Sequence, residues 1–250
     1  MRDMKIREIK AKSILSKSQV YDYALNPYVG CRHGCVYCYA KFMKRFTGHR
    51  KRWGEFVDAK INAPELLARE VKRKKAGRVW ISGVCDPYQI AEKRFMLTRK
   101  CLEILAENGW PFTVQTKSPL VLRDIEILKR ARNAEVGFTI TTADERMRRI
   151  FEPGAPSIRE RVEALGYLHS EGVKTFAMVA PILPGAEGLV AALKGKVKYV
   201  LLDRLNYHYA DRTYKKYGLQ WAMADGFFSQ EGDTLKTAFE RHGIPCQVLF

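Results

Sequence analysis

A parallel α/β fold is predicted for this chain, six strand–helix units forming a partial (β/α)6 barrel of the TIM type, and three observations predict it. The chain has 250 residues, a length that suits one such barrel with a sizeable core. Short apolar runs alternate with amphipathic stretches through most of its length. A loop dense in cysteine stands directly after the first of those runs, and parallel sheets carry their reactive groups at the carboxyl ends of strands.

Residues 1–20 are polar with weak alternation and read as a strap or short edge strand. Residues 24–29 form an extended run that feeds the cysteine loop, and 40–46 read as helical. Gly48, Gly54 and Pro64 mark loops between 47 and 63. Residues 64–75 have helical spacing (Leu66, Leu67, Val71) behind a first-turn proline. Residues 79–84 are a compact apolar run between Gly77 and Asp86, suited to a buried parallel strand. A helix over 98–107 stops at Asn108-Gly109. Strands at 112–116, 135–142, 173–181 and 198–203 then alternate with helices at 121–131, 157–170 and 188–194. That order implies right-handed crossovers and a parallel sheet. Beyond Asn206 the rhythm is lost in a tail rich in tyrosine, tryptophan and phenylalanine. The tail is expected to pack as helices closing the barrel, with stacking on nucleic-acid bases as the sharper reading. The domain expectation is therefore a strap over 1–20, a barrel over 21–206 and a C-terminal extension over 207–250.

The net charge is +17, concentrated in 41–52, 72–78 and 93–100, at Arg146, Arg148 and Arg149, and at Lys215-Lys216. Such an excess favours polyanions through counterion release, and a solvated lysine-rich surface is the plain alternative. Six cysteines, three of them clustered, do not resemble a secreted disulfide framework. The first residues lack an apolar signal core and no run is long enough to span a membrane, so a soluble cytoplasmic protein with no membrane partner is expected.

The chemistry is concentrated in Tyr28-Val-Gly-Cys31-Arg-His-Gly-Cys35-Val-Tyr-Cys38-Tyr39. Three thiolates from one loop suit a soft metal centre, because sulfur is the preferred ligand of iron–sulfur clusters and zinc. Gly30 and Gly34 let the backbone wrap closely. A closed zinc site wants four protein ligands and would recruit His33, Cys85, Cys101 or Cys246, whereas a reactive centre keeps one position open. The first spacing, of three residues, departs from the paired two-residue spacings of zinc knuckles.

Cys31-x3-Cys35-x2-Cys38, with an aromatic before the last cysteine, resembles the signature of the radical S-adenosylmethionine (radical SAM) superfamily. Tyr37-Cys38-Tyr39 and later segments narrow the resemblance to its spore photoproduct lyase-like branch, also called DNA repair photolyase-like, over about residues 21–206. The resemblance implies a [4Fe-4S] cluster on Cys31, Cys35 and Cys38, with the fourth iron left for S-adenosyl-L-methionine. It implies reductive cleavage of that cofactor to a 5′-deoxyadenosyl radical, fed by a reductase or a flavodoxin- or ferredoxin-type electron donor. The branch's substrate is DNA carrying a pyrimidine dimer, so lyase-type DNA repair is implied, with RNA or a peptide as other substrates.

Site residues follow from the same likeness. It sets Ser82, Gly83 and Asp86 near the methionine amino group, although Asp86 capping a turn is the bland reading. It pairs Lys117 with the methionine carboxylate. Alternation puts Thr139 and Thr141 on one face, where the hydroxyls reach methionine or ribose; threonine is also simply a good strand former. Pro181 lines the adenine pocket, Tyr37 stacks there, and Tyr39 relays a hydrogen atom. The branch's hydrogen-donor cysteine aligns nearer Gly83, so Cys85 is either a shifted donor or a buried core thiol. Glu152 and Arg159 form an ion pair or touch substrate, and His33 is a loop residue or a phosphate contact. The competing function is a zinc-stabilised nucleic-acid-binding protein without catalysis.

Overall fold

The computed structural model describes residues 4–250, so the first three residues of the strap lie outside the described residues. The chain divides into two compact units, Met1–His33 with Ala40–Val136, and Gly34–Tyr39 with Gly137–Phe250.

The first unit contains strands β1 (Lys5–Ile9), β2 (Leu15–Lys17), β3 (Tyr23–Leu25), β4 (Tyr28–Val29), β5 (Phe56–Lys60), β6 (Val79–Ile81) and β7 (Phe112–Thr116), and the first residues of β8 (Glu135–Thr139). Its helices are α1 (Ala63–Glu70), α2 (Glu92–Phe95), α3 (Leu97–Glu107) and α4 (Ile125–Arg130). The main sheet runs β2-β3-β6-β7 and on to β8, with β3, β6 and β7 parallel and Leu25, Ile81 and Val114 in register. A smaller sheet runs β1-β5-β4. Tyr28, Val57, Ala59, Ala91 and Leu97 form a core beside it, against which Cys85 packs.

The second unit continues from Gly137 in β8 through β9 (Lys174–Val179), β10 (Tyr199–Leu202) and β11 (Cys246–Val248), with β9, β10 and β11 parallel. Its helices are α5 (Glu145–Phe151), α6 (Ile158–Ser170), α7 (Leu189–Leu193), α8 (Asp211–Lys216) and α9 (Asp225–Arg241). Asp144 caps α5, and Ser157 with Glu160 forms a capping box on α6. Met147, Phe151, Leu183, Ala210, Tyr214 and Ala222 make its core, with Val36 and Tyr37 packed on them.

The parallel α/β fold is thus as expected, and several details differ for physical reasons. The run at 24–29 breaks at Pro27, which lacks a backbone donor; β3 stays in the main sheet and β4 pairs antiparallel with β5. The cysteine loop therefore leaves from β4. Residues 56–60, expected as loop, are strand β5, whose Asp58 is buried because Arg7 forks onto it at 2.8 and 2.9 Å. The run at 79–84 ends early because Ser82 turns left-handed (φ 66°). Helix α1 stops at Glu70, ahead of the consecutive cations Lys72-Arg-Lys-Lys75, which disfavour another turn. The tail carries helices as expected and also β11, a three-residue strand too short to register as alternation.

Candidate metal and cofactor site

In the first unit, Cys31 is buried and held from both sides by one fully buried side chain. Gln89 donates from Nε2 to the Gly30 carbonyl and accepts from the Arg32 N–H, both at 3.0 Å. Gly30 is left-handed (φ 85°), and a Cβ there would lie 2.5 Å from the Phe56 carbonyl oxygen, so glycine is required. His33 Nε2 lies 3.1 Å from Asp86 Oδ2.

Asp86 follows the end of β6 and ties it to the end of β7. Its Oδ1 accepts from the Tyr88 N–H (2.9 Å) and the Thr116 hydroxyl (2.7 Å), and its Oδ2 from the Lys117 N–H (2.7 Å). Burial alone pushes this carboxyl up, but the His33 charge and these donors outweigh it and hold the pKa at about 2. Both oxygens are therefore engaged within the protein, and the capping reading of Asp86 describes what the side chain does. Lys117 is half-buried.

Ser82 is buried and Gly83 half-buried against the Trp80 ring. The Cys85 thiol donates to the Tyr28 carbonyl at 3.4 Å. Burial pushes its pKa up to about 12, and the nearby Ser82 hydroxyl offsets that only partly.

In the second unit, the Gly34–Tyr39 segment is fastened to the end of α5. Val36 N–H donates to the Phe151 carbonyl at 2.9 Å, and Cys38 N–H closes a turn on the Cys35 carbonyl at 3.2 Å. The Tyr37 hydroxyl donates to Glu152, which also accepts from the Thr141 hydroxyl at 3.2 Å. Arg161 completes the group, 2.5 Å from Glu152 Oε2, with neither side chain exposed. The same guanidinium donates to the carbonyls of Thr139 (3.2 Å) and Pro156 (2.7 and 3.0 Å). Burial, then the Glu152 and Cys35 charges, drive the Tyr37 pKa well above its ordinary value. Thr139 is buried at the end of β8, and Pro181 is buried behind a cis peptide from Ala180. Tyr39 is 38 % exposed and stacks on Tyr207, ring centroids 6.2 Å apart.

The ion-pair alternative for Glu152 and Arg159 is corrected. Glu152 pairs with Arg161, while Arg159 reaches Glu163, at 3.6 Å on an exposed face. Gln89 and Arg161 were missed by sequence reasoning. Gln89 left no signal. Arg161 did, because it lies on the buried face of α6 with Ile158, Ala164, Leu165 and Leu168, where a cation demands a partner.

None of the three loop cysteines is in a disulfide, Cys31 and Cys35 being buried and Cys38 half-buried, and a thiolate trio is the donor set that an iron–sulfur cluster takes. Among the described residues no three His, Cys, Asp or Glu side chains are already gathered around one point as metal ligands. The three residues fit the cluster by donor chemistry. His33, a fourth ligand in the zinc reading, is directed at Asp86.

Comparison with known proteins agrees with this chemistry. Residues 25–187 match the radical SAM superfamily, and the chain belongs to it. That superfamily uses a [4Fe-4S] cluster and S-adenosylmethionine. An uncharacterised protein of Methanocaldococcus jannaschii is 33 % identical over 244 residues, covering 96 % of this chain and 90 % of that one. A radical SAM Nα-GlyT isomerase of Pseudomonas phage M6 is 23 % identical over 242 residues, covering 90 % of this chain and 49 % of the isomerase. The fold is similar to that of spore photoproduct lyase complexed with dinucleoside spore photoproduct, with a TM-score of 0.70, 16 % identity, and coverage of 98 % of this chain and 82 % of the lyase. Among the described residues no helix is long and apolar enough to cross a membrane.

Proposed function

We propose that this chain is a radical SAM enzyme acting on nucleic acid, with Cys31, Cys35 and Cys38 as the ligands of its [4Fe-4S] cluster. The observation that carries the reading is a loop with three cysteines outside any disulfide whose backbone is held firmly, by Gln89 around Cys31 and by Phe151 and Glu152 along Val36 and Tyr37. When bound, the cluster supplies the electron that cleaves S-adenosylmethionine to a 5′-deoxyadenosyl radical.

The chain's own residues bind and orient that cofactor. Gly83 allows close backbone approach beside Ser82, and Lys117 offers a cation to the methionine carboxylate. Thr139 and Thr141 face methionine or ribose, and Tyr37 and Pro181 flank adenine. Asp86 acts from behind, by fixing the Lys117 backbone. Cys85 suits a hydrogen-atom donor, since burial keeps it protonated at physiological pH, and Tyr39 is the relay. An electron-donor protein and a cytoplasmic setting, where thiols stay reduced, complete the reading.

Support for nucleic acid comes from the net charge of +17 and from the likeness to a spore photoproduct lyase complexed with a dinucleoside spore photoproduct. Lyase-type repair of a DNA lesion is the finer form. The test is 5′-deoxyadenosine release by reduced, reconstituted protein with irradiated DNA, undamaged DNA, RNA or a peptide pool. Acceleration by a nucleic acid is expected. Acceleration by the peptides alone contradicts the reading.

A further inference from the structure

Tyr39, Tyr207 and Tyr209, all in the second unit, form a ladder on the protein surface. Tyr39 and Tyr207 stack with centroids 6.2 Å apart and planes 21° from parallel, and Tyr207 and Tyr209 with 5.9 Å and 17°. The three rings are 38, 51 and 43 % exposed. Nearby Tyr214, by contrast, is fully buried in the core with Phe151 and Leu183. This aromatic segment thus sends one tyrosine inward to pack and keeps the ladder half-exposed at the surface. Helix α8, directly after the ladder, exposes Arg212, Lys215 and Lys216. Across 207–217 these three cations face one carboxylate, that of Asp211.

We propose that the Tyr39–Tyr207–Tyr209 ladder is a stacking platform for the bases of a single-stranded nucleic acid, with Arg212, Lys215 and Lys216 on its phosphates. Near-parallel aromatic rings beside a basic segment are how proteins hold unpaired strands, because every base has a flat face and every linkage a charge. A duplex hides those faces within its stack, so the occupant is a single strand or one locally opened. Tyr39 adjoins the cluster ligand Cys38 in sequence, so a strand on the ladder reaches the residue next to the reactive loop. This deepens the nucleic-acid reading above and rests on it.

The test uses reconstituted protein under anaerobic conditions and a short oligothymidylate carrying 2-aminopurine. Tyr207→Ala and Tyr209→Ala should each weaken binding roughly tenfold and abolish the fluorescence quenching that reports stacking, with the salt dependence unchanged. Tyr207→Phe and Tyr209→Phe should bind and quench as the wild type does. Lys215→Ala and Lys216→Ala should each lower the slope of log affinity against log salt by about 0.7 while quenching persists. Wild-type binding and quenching by the two alanine variants overturns the proposal, as does binding that only the lysine changes weaken. Failure of the function reading is separable: the oligonucleotide then binds and quenches but leaves 5′-deoxyadenosine release unchanged, whereas acceleration of release with normally binding alanine variants sinks the ladder alone.

Discussion

Arg161 and Glu152 meet at 2.5 Å with both side chains sealed from solvent, and the carboxylate also receives the hydroxyl of Tyr37, between two of the loop cysteines. An ion pair this deep is costly to form, so its worth lies in what it fixes: the Cys35–Cys38 segment relative to α5 and α6. Removing one partner leaves an uncompensated buried charge. Arg161→Met is expected to lower the unfolding free energy of the metal-free chain by about 3–5 kcal/mol, and Arg161→Met with Glu152→Leu by clearly less. Urea denaturation checks this, and a single variant as stable as the wild type contradicts it.

Asp86 makes stability depend on acid. Its carboxyl falls from 3.8 to about 2 on folding, so its contribution is complete above the unfolded value and is lost as pH falls through the folded one. That contribution is on the order of 2 kcal/mol. Metal-free wild type should lose it between about pH 4 and pH 2, while Asp86→Asn, weaker at neutral pH, should show a shallower acid slope over the same window. Parallel slopes for the two proteins contradict the assignment.

Gln89→Leu should loosen the loop around Cys31. It strips partners from the Gly30 carbonyl and the Arg32 N–H, at about 1–3 kcal/mol for each group left buried and unpaired. Hydrogen exchange at the Arg32 amide should quicken and reconstituted iron content should fall. Unchanged exchange is the contrary result.

Cys85 is half-buried, yet it is expected to alkylate slowly in the native metal-free chain at neutral pH, because desolvation holds its thiol up to about 12; rapid alkylation is the contrary result. Cys85→Ala should keep the cluster and cofactor cleavage and change the fate of the substrate. Loss of iron in that variant would make Cys85 a ligand instead.

Most of the frame was legible in the sequence because buried parallel strands carry apolar runs: 79–84 and 173–181 contain one each, 112–116 shows Phe112 and Val114 in alternation instead, and β6, β9 and β7 lie there. The cysteine spacing was legible for the same local reason. What escaped depends on partners distant in sequence. β5 contains Asp58, a poor strand residue until Arg7, 51 residues earlier, neutralises it. Gln89 acts on a backbone 59 residues away, and its type says nothing of that. An ion pair of Glu152 with Arg159 was one of two alternatives open in the sequence, and the helical face decides against it: Arg161 points inward to Glu152 and Arg159 outward to Glu163.

The measurement that bears most directly on the central claim is metal content together with S-adenosylmethionine cleavage after anaerobic reconstitution. Wild type should carry about four iron atoms per chain and release 5′-deoxyadenosine when reduced, and Cys31→Ala, Cys35→Ala and Cys38→Ala should each lose both. Stoichiometric zinc in place of iron, with no 5′-deoxyadenosine from the wild type, contradicts the account.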